Sequence, residues 1–152
     1  MSSTIIMGID PGSHTGIAIY EGGRLAELQT VEPHQLVEVI ETVMPIRVVF
    51  EDSRLISPTW KRDTTEAARL KIARDVGQID AWCRLIVATC ARLGIPAHSV
   101  SPRDKGAKLN AERFQQLTGW NGSSNEHTRD AACVAWQLRR AVGERRLIEV
   151  CK

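Results

Sequence analysis

The stretch Thr4-Ile5-Ile6-Met7-Gly8-Ile9-Asp10-Pro11-Gly12-Ser13-His14-Thr15-Gly16-Ile17-Ala18-Ile19-Tyr20 decides how the rest of the chain is read. Thr4 to Asp10 is a short apolar run that ends on a carboxylate, Pro11-Gly12 is a turn signal, and Thr15 to Tyr20 is a second apolar run. Arg24 to Val31 follows the tight Gly22-Gly23 turn as a third strand, so the chain opens with three strands joined as hairpins.

Working outward, the pattern changes to helices and crossovers. Pro33 opens a helix with Leu36, Val37, Ile40 and Val43 at helical spacing, and Pro45 ends it. Ile46 to Glu51 is a fourth strand, apolar along most of its length and therefore buried in a sheet. A loop over Asp52 to Arg62 leads into a long helix, with Asp63 or Thr64 as its N-cap and Gly94 as its stop. Along it Ile72, Val76, Ile79, Cys83, Ile86, Cys90 and Leu93 recur at steps of three and four. Ile95 to Val100 is a fifth strand, Asn110 caps a helix up to Leu117, and a last helix runs from about Glu126 to Val142. The order β-β-β-α-β-α-β-α-α predicts an α/β domain, a mixed sheet with helices on its faces.

The length of 152 residues suits a single domain over 1–152. With 43% hydrophobic and 25% charged residues the composition is that of a globular protein with a real core. No apolar run approaches the ~20 residues that span a bilayer, and Met1-Ser2-Ser3-Thr4 does not read as a signal peptide, so a cytoplasmic location is expected. Cys83 and Cys90 fall seven residues apart on one helix, about 10 Å along its axis, too far for a disulfide. Buried free thiols are expected instead. The net charge of +2 hides a division: residues 1–53 carry a balance of −6 and the remainder +8. A cationic surface for phosphates beside an acidic pocket would produce that division, and so would solvated helix faces.

The chemistry lies at the strand ends. Asp10 and Glu51 each close an apolar strand, where a carboxylate has no purpose in a core. In α/β sheets, sites gather outside the carboxyl ends of strands. The last helix adds His127 and Asp130, three residues apart and so on one face of its first turn. Crowded carboxylates repel one another unless a cation joins them, and hard divalent ions such as Mg²⁺ take carboxylate oxygens. Singly, each residue has a plainer explanation: Asp10 as a turn former, Glu51 as a partner of Arg54, His127 as a capping or partly buried histidine, Asp130 as a helix N-terminal acid. Together they favour a metal site.

These residues carry a resemblance. Gly8 to Ala18 closely resembles the first strand, turn and second strand of the RuvC-type Holliday junction resolvases of the RNase H-like superfamily. Glu51, closing Val48-Val49-Phe50-Glu51, resembles the acid at the end of that family's fourth strand. Gly77-Gln78 is similar to a Gly-Gln pair in its long helix. His127-Thr128-Arg129-Asp130-Ala131-Ala132 resembles its C-terminal element, where an Asp or His precedes the last Asp by three. The resemblance runs from Ile5 to about Leu138. The first motif alone is shared with actin-like ATPases and sugar kinases, but a module of that kind needs a second half-domain for which this chain is too short.

The resemblance implies an RNase H-like fold with a five-stranded mixed sheet, three antiparallel strands and then two parallel. It implies a homodimeric, metal-dependent endonuclease, a crossover junction endodeoxyribonuclease, that places paired symmetric nicks in four-way branched DNA. Asp10, Glu51, His127 and Asp130 would be its catalytic and metal-binding set, holding two Mg²⁺ ions, with Mn²⁺ as a substitute. Asp52 is a rival to Glu51; adjacent strand residues point to opposite faces, and the family correspondence selects Glu51. His127 either ligates or moves a proton, and the sequence does not separate these roles. Lys61, Arg62, Arg69, Lys71 and Arg74, with Arg103, Lys105 and Lys108 after the fifth strand, are candidates to hold DNA phosphates. Trp60 is a candidate wedge at the junction centre or, equally, a dimer-interface residue. The compact chain is most similar to the phage or prophage branch. The alternatives are a YqgF-like nuclease acting on other branched DNA or structured RNA, and a catalytically inactive junction-binding protein.

Overall fold

The computed structural model describes residues 4–56 and 64–140. Strands β1 (Ile5–Asp10), β2 (Thr15–Glu21) and β3 (Arg24–Val31) form an antiparallel set. Strands β4 (Arg47–Glu51) and β5 (Ala97–Val100) continue the sheet in parallel on the other side of β1, giving the order β3-β2-β1-β4-β5. Helices α1 (Leu36–Val43) and α2 (Glu66–Leu93) precede and follow β4, and α3 (Ala111–Thr118) and α4 (Glu126–Ala135) come last. This is the five-stranded mixed sheet expected, with an RNase H-like topology.

The period of two along the strands sorts the core into two layers. Met7, Ile9, Ile17, Ile19, Val48 and Phe50 point to one face and pack with Leu36 and Ile40 of α1 and Cys83, Ile86 and Cys90 of α2. Their neighbours Ile6, Ala18, Tyr20 and Val49 point to the other face, against Phe114 of α3 and Ala131, Ala132 and Ala135 of α4. The buried Tyr20 hydroxyl donates to the Ala132 carbonyl at 2.7 Å, tying β2 to the middle of α4. The same alternation places Gly8 and Asp10 of β1, Gly16 of β2 and Glu51 of β4 on the α4 side.

That side is packed unusually close. A Cβ on Gly8 would run into the Ala131 carbonyl, and one on Gly16 into the His127 carbonyl. Both obstacles are helix backbone, which cannot turn aside as a side chain can. Glycine at these two strand positions therefore lets α4 lie against the sheet, and the small faces of Ala131 and Ala135 complete the approach.

Several boundaries differ from the sequence reading. The cap of α2 is Thr65, whose hydroxyl accepts from the Ala68 N–H, rather than Asp63 or Thr64. Ile95 lies before β5, in the turn that closes α2: beyond the left-handed Gly94, its N–H bonds to the Cys90 carbonyl. Pro33–Gln35 is a 3₁₀ turn that leads into α1, and left-handed Met44 ends that helix before Pro45. The α-helix expected to reach Val142 stops at Ala135 and tightens into a 3₁₀ turn over Trp136–Leu138. Arg47 holds the chain there, donating to the carbonyls of Leu138 and Arg140 at 2.9 and 3.2 Å. Cys83 and Cys90 are buried free thiols, as expected, and burial pushes Cys90 up to about 11. Among the described residues no helix is long and apolar enough to cross a membrane.

Gly16→Ala tests the close approach. Because the added methyl meets backbone, the variant is expected to lose about 2–3 kcal/mol of stability in urea unfolding, at the upper end for overpacking. An unchanged midpoint would mean that α4 does not need this glycine.

Candidate active site

Asp10 leaves the end of β1 and Glu51 the end of β4, and the parallel register that pairs Ile9 with Phe50 brings these ends side by side. On the same face, α4 begins directly above. Its N-cap Asn125 accepts from the Thr128 N–H, while the Thr128 hydroxyl accepts from the Asn125 N–H, a reciprocal box that fixes the first turn. From that turn His127 reaches Asp10, with Nδ1 3.5 Å from Oδ2. Asp130, one turn further, points into the same cleft. The cleft has a volume of about 380 Å³ and is lined by Asp10, Glu51, His127, Asp130, Lys105 and Lys108, among others.

The structure thus brings together all four residues singled out for metal binding. It also separates Glu51 from its rival. Asp52 is buried and turned away to Arg54, which donates from Nε and a terminal nitrogen to its two oxygens at 2.8 and 2.7 Å. The Arg54 hydrogen bonds hold the Asp52 carboxyl below the usual carboxylate range. Arg54 is therefore the partner of Asp52 and not of Glu51.

Among the described residues, no three His, Cys, Asp or Glu side chains are set as a ready-made metal cage. Lys105 stands between them. Its Nζ lies 2.6 Å from Glu51 Oε2 and 3.3 Å from Asp130 Oδ2, and only 12% of its side chain is exposed. The Glu51 contact is a close ion pair. Burial works against the Lys105 charge, but Glu51, Asp130 and Asp10 outweigh it and hold the amine above its ordinary value. Lys108 stays at the rim, two-thirds exposed, with Nζ 3.7 Å from Asp130 and from Glu126.

Asp10 registers the crowding. Burial pushes its carboxyl up to about 7, Lys105 pulls it back, and Glu51 and Asp130 push it further up. Three carboxylates and an imidazole around one cleft, compensated by Lys105 within it and Lys108 at its rim, suit a hard divalent cation chemically. The Lys105 ammonium is a cation already standing among the donors.

The other candidates divide. Arg69, Lys71 and Arg74 are exposed on the first half of α2, where Lys71 pairs with Asp75 at 3.0 Å. Arg103 is exposed after β5. Lys105 faces the carboxylates rather than the solvent where a phosphate would lie. Trp60, Lys61 and Arg62 lie outside the described residues. Two features escaped the sequence reading. His14, in the turn between β1 and β2, stacks at a tilt against His127 with ring centroids 5.7 Å apart. Ser53 donates to Asp80 at 2.6 Å, fastening the turn after β4 to α2. No spacing rule marks either contact, because both join elements distant in sequence.

A five-stranded sheet of this order, with helices packed on its faces, is an RNase H-like fold. Within that class the fold is RuvC-like. The chain superimposes on the RuvC of Thermus thermophilus in complex with a Holliday junction substrate with a TM-score of 0.59 at 17% identity, covering 88% of this chain and 90% of that one. A second structure of Thermus thermophilus RuvC gives 0.57 at 16% identity, with 87% and 91% covered. No model of a known protein family matches the chain, and no curated protein matches it.

The raised Asp10 carboxyl makes a prediction about pH. The metal-free folded protein holds a proton there more tightly than the unfolded chain does, so its stability falls as pH rises from the ordinary 3.8 towards about 7. Asp10→Asn, which cannot ionise, should lack that fall. Thermal melts of both proteins across this window in chelator check it, and parallel curves would show that Asp10 carries no such strain.

Proposed function

We propose that this protein is a metal-dependent endonuclease that resolves four-way DNA junctions by paired nicks, a single RNase H-like domain acting as a homodimer. The observation that carries the reading is the meeting of Asp10, Glu51, His127 and Asp130 in one cleft on a RuvC-like scaffold. Fold alone would not carry it, since one fold serves many functions.

Asp10, Glu51 and Asp130, with His127, would hold Mg²⁺, or Mn²⁺ in its place. When bound there, the ions supply a water acidic enough to attack at neutral pH and positive charge for the leaving oxygen. The protein groups do the rest. The reaction is a hydrolysis: the water oxygen bonds to phosphorus, the bond from phosphorus to the 3′ oxygen breaks, and that oxygen leaves with a proton. His127 stands beside Asp10 at the mouth of the cleft, placed either to ligate or to pass that proton. The exposed Lys108, Arg103, Arg69 and Arg74 offer charge for backbone phosphates and give affinity without sequence preference. Two nicks placed symmetrically need two such clefts, which is the reason for proposing the dimer.

The test uses a synthetic four-way junction, a matched duplex and RNA hairpins, each with and without Mg²⁺. Paired nicks are expected on the junction alone, falling at least about a hundredfold for Asp10→Asn, because several kcal/mol of charge stabilisation is worth that much. Cutting of flaps or RNA would move the substrate to the YqgF-like reading, and tight junction binding without cutting would make the protein a binder.

A further inference from the structure

We propose that Lys105 is a resident counter-cation, occupying the cation position of the cleft in the metal-free protein and yielding it when a divalent ion binds. The inference rests on the metal-centre reading above and adds to it a residue that competes with the metal.

The geometry is that of an occupant and not of a bystander. Lys105 Nζ touches acids from two separate elements, Glu51 of β4 at 2.6 Å and Asp130 of α4 at 3.3 Å, and its side chain is largely withdrawn from solvent. A buried ammonium is costly unless paired, so the loop would not send it inward without the carboxylates to receive it. Conversely, the carboxylates without it would be a group of like charges around Asp10. A Mg²⁺ ion needs oxygens at about 2.0–2.1 Å. An ion at that distance from Glu51 Oε2 would press directly on an ammonium sharing the same oxygen, and two cations so close repel strongly in a part-buried cleft. Sharing this carboxylate weakens the hold of each cation on it, so the ammonium and the metal ion compete.

The lysine is also mounted so that it can leave. It belongs to the irregular segment between β5 and α3 and not to a strand or helix. Gly106, next to it, is left-handed with φ +84° and has open space around it. The flexible four-carbon stem can swing toward the rim, where Lys108 already stands, without moving β4 or α4. There the ammonium would face phosphate, the role its position in the sequence suggested.

Lys108 supplies the control. It carries the same charge 3.7 Å from Asp130 but is exposed, so its removal reports the effect of a nearby charge without occupancy. The measurement is Mn²⁺ binding to the full metal-free chain, without DNA, read from loss of the free-ion electron paramagnetic resonance signal. Lys105→Met should bind Mn²⁺ about tenfold tighter than wild type or more, while Lys108→Met should change it less than about threefold. Lys105→Gln, equally uncharged, makes the same comparison should the methionine variant fail to fold by circular dichroism. Equal effects at the two lysines, or weaker binding to the Lys105 variants, overturn the counter-cation and leave the metal centre standing. If neither wild type nor any variant binds Mn²⁺, the metal-centre reading falls and the inference with it.

Discussion

Everything at the candidate site depends on how closely α4 can lie against β1 and β2. That distance is set by two hydrogen atoms, the side chains of Gly8 and Gly16, which face the carbonyls of Ala131 and His127. Neither glycine is there for a turn, and neither needs a left-handed backbone. Each removes a Cβ where helix backbone meets strand backbone. The consequence is chemical as well as structural. His127 rides on the first turn of α4 and Asp130 one turn further, so the depth at which the helix sits decides whether they reach Asp10 and Glu51 or stand above them.

The strand alternation does the complementary work. Because Gly8 and Asp10 share a face of β1, the residue that admits the helix and the acid it brings a partner to are placed by one periodicity. The same alternation puts Glu51 on that face of β4, below the α4 turn. Asp52, one residue on, goes to Arg54 instead, where bidentate bonds and burial settle it as a structural acid. Two neighbouring carboxylates thus acquire opposite characters from a single step along the chain.

Much of this was legible beforehand. The turn glycines, the apolar runs and the heptad-like recurrence along α2 are local signals, and each element they marked exists. Asp10, Glu51, His127 and Asp130 could be singled out because acids at the ends of apolar strands are conspicuous against their surroundings. The errors fell where tertiary contacts override local pattern. Arg47 draws the Leu138 and Arg140 carbonyls to itself and ends the last helix early, and the stop of α2 takes up Ile95 from what reads as a strand. His14 beside His127 and Ser53 on Asp80 were invisible because their partners lie far along the chain.

Lys105 shows the limit of reading charge from position alone. A lysine in a loop with Arg103 and Lys108 for neighbours reads as part of a phosphate-binding surface, since basic side chains in loops are ordinarily solvated. Its destination is decided instead by the acids on β4 and α4, with Glu51 at 2.6 Å and Asp130 at 3.3 Å from its ammonium. The uneven charge of the two parts of the chain, −6 over residues 1–53 and +8 over the rest, takes on a different sense in this light. The basic part does not merely lie beside the acidic pocket; through Lys105 it enters the pocket. A group that neutralises the carboxylates before metal arrives also keeps them from splaying apart. On the reading proposed above, the site is assembled by folding alone, and its charge would be exchanged, rather than created, on binding a divalent cation.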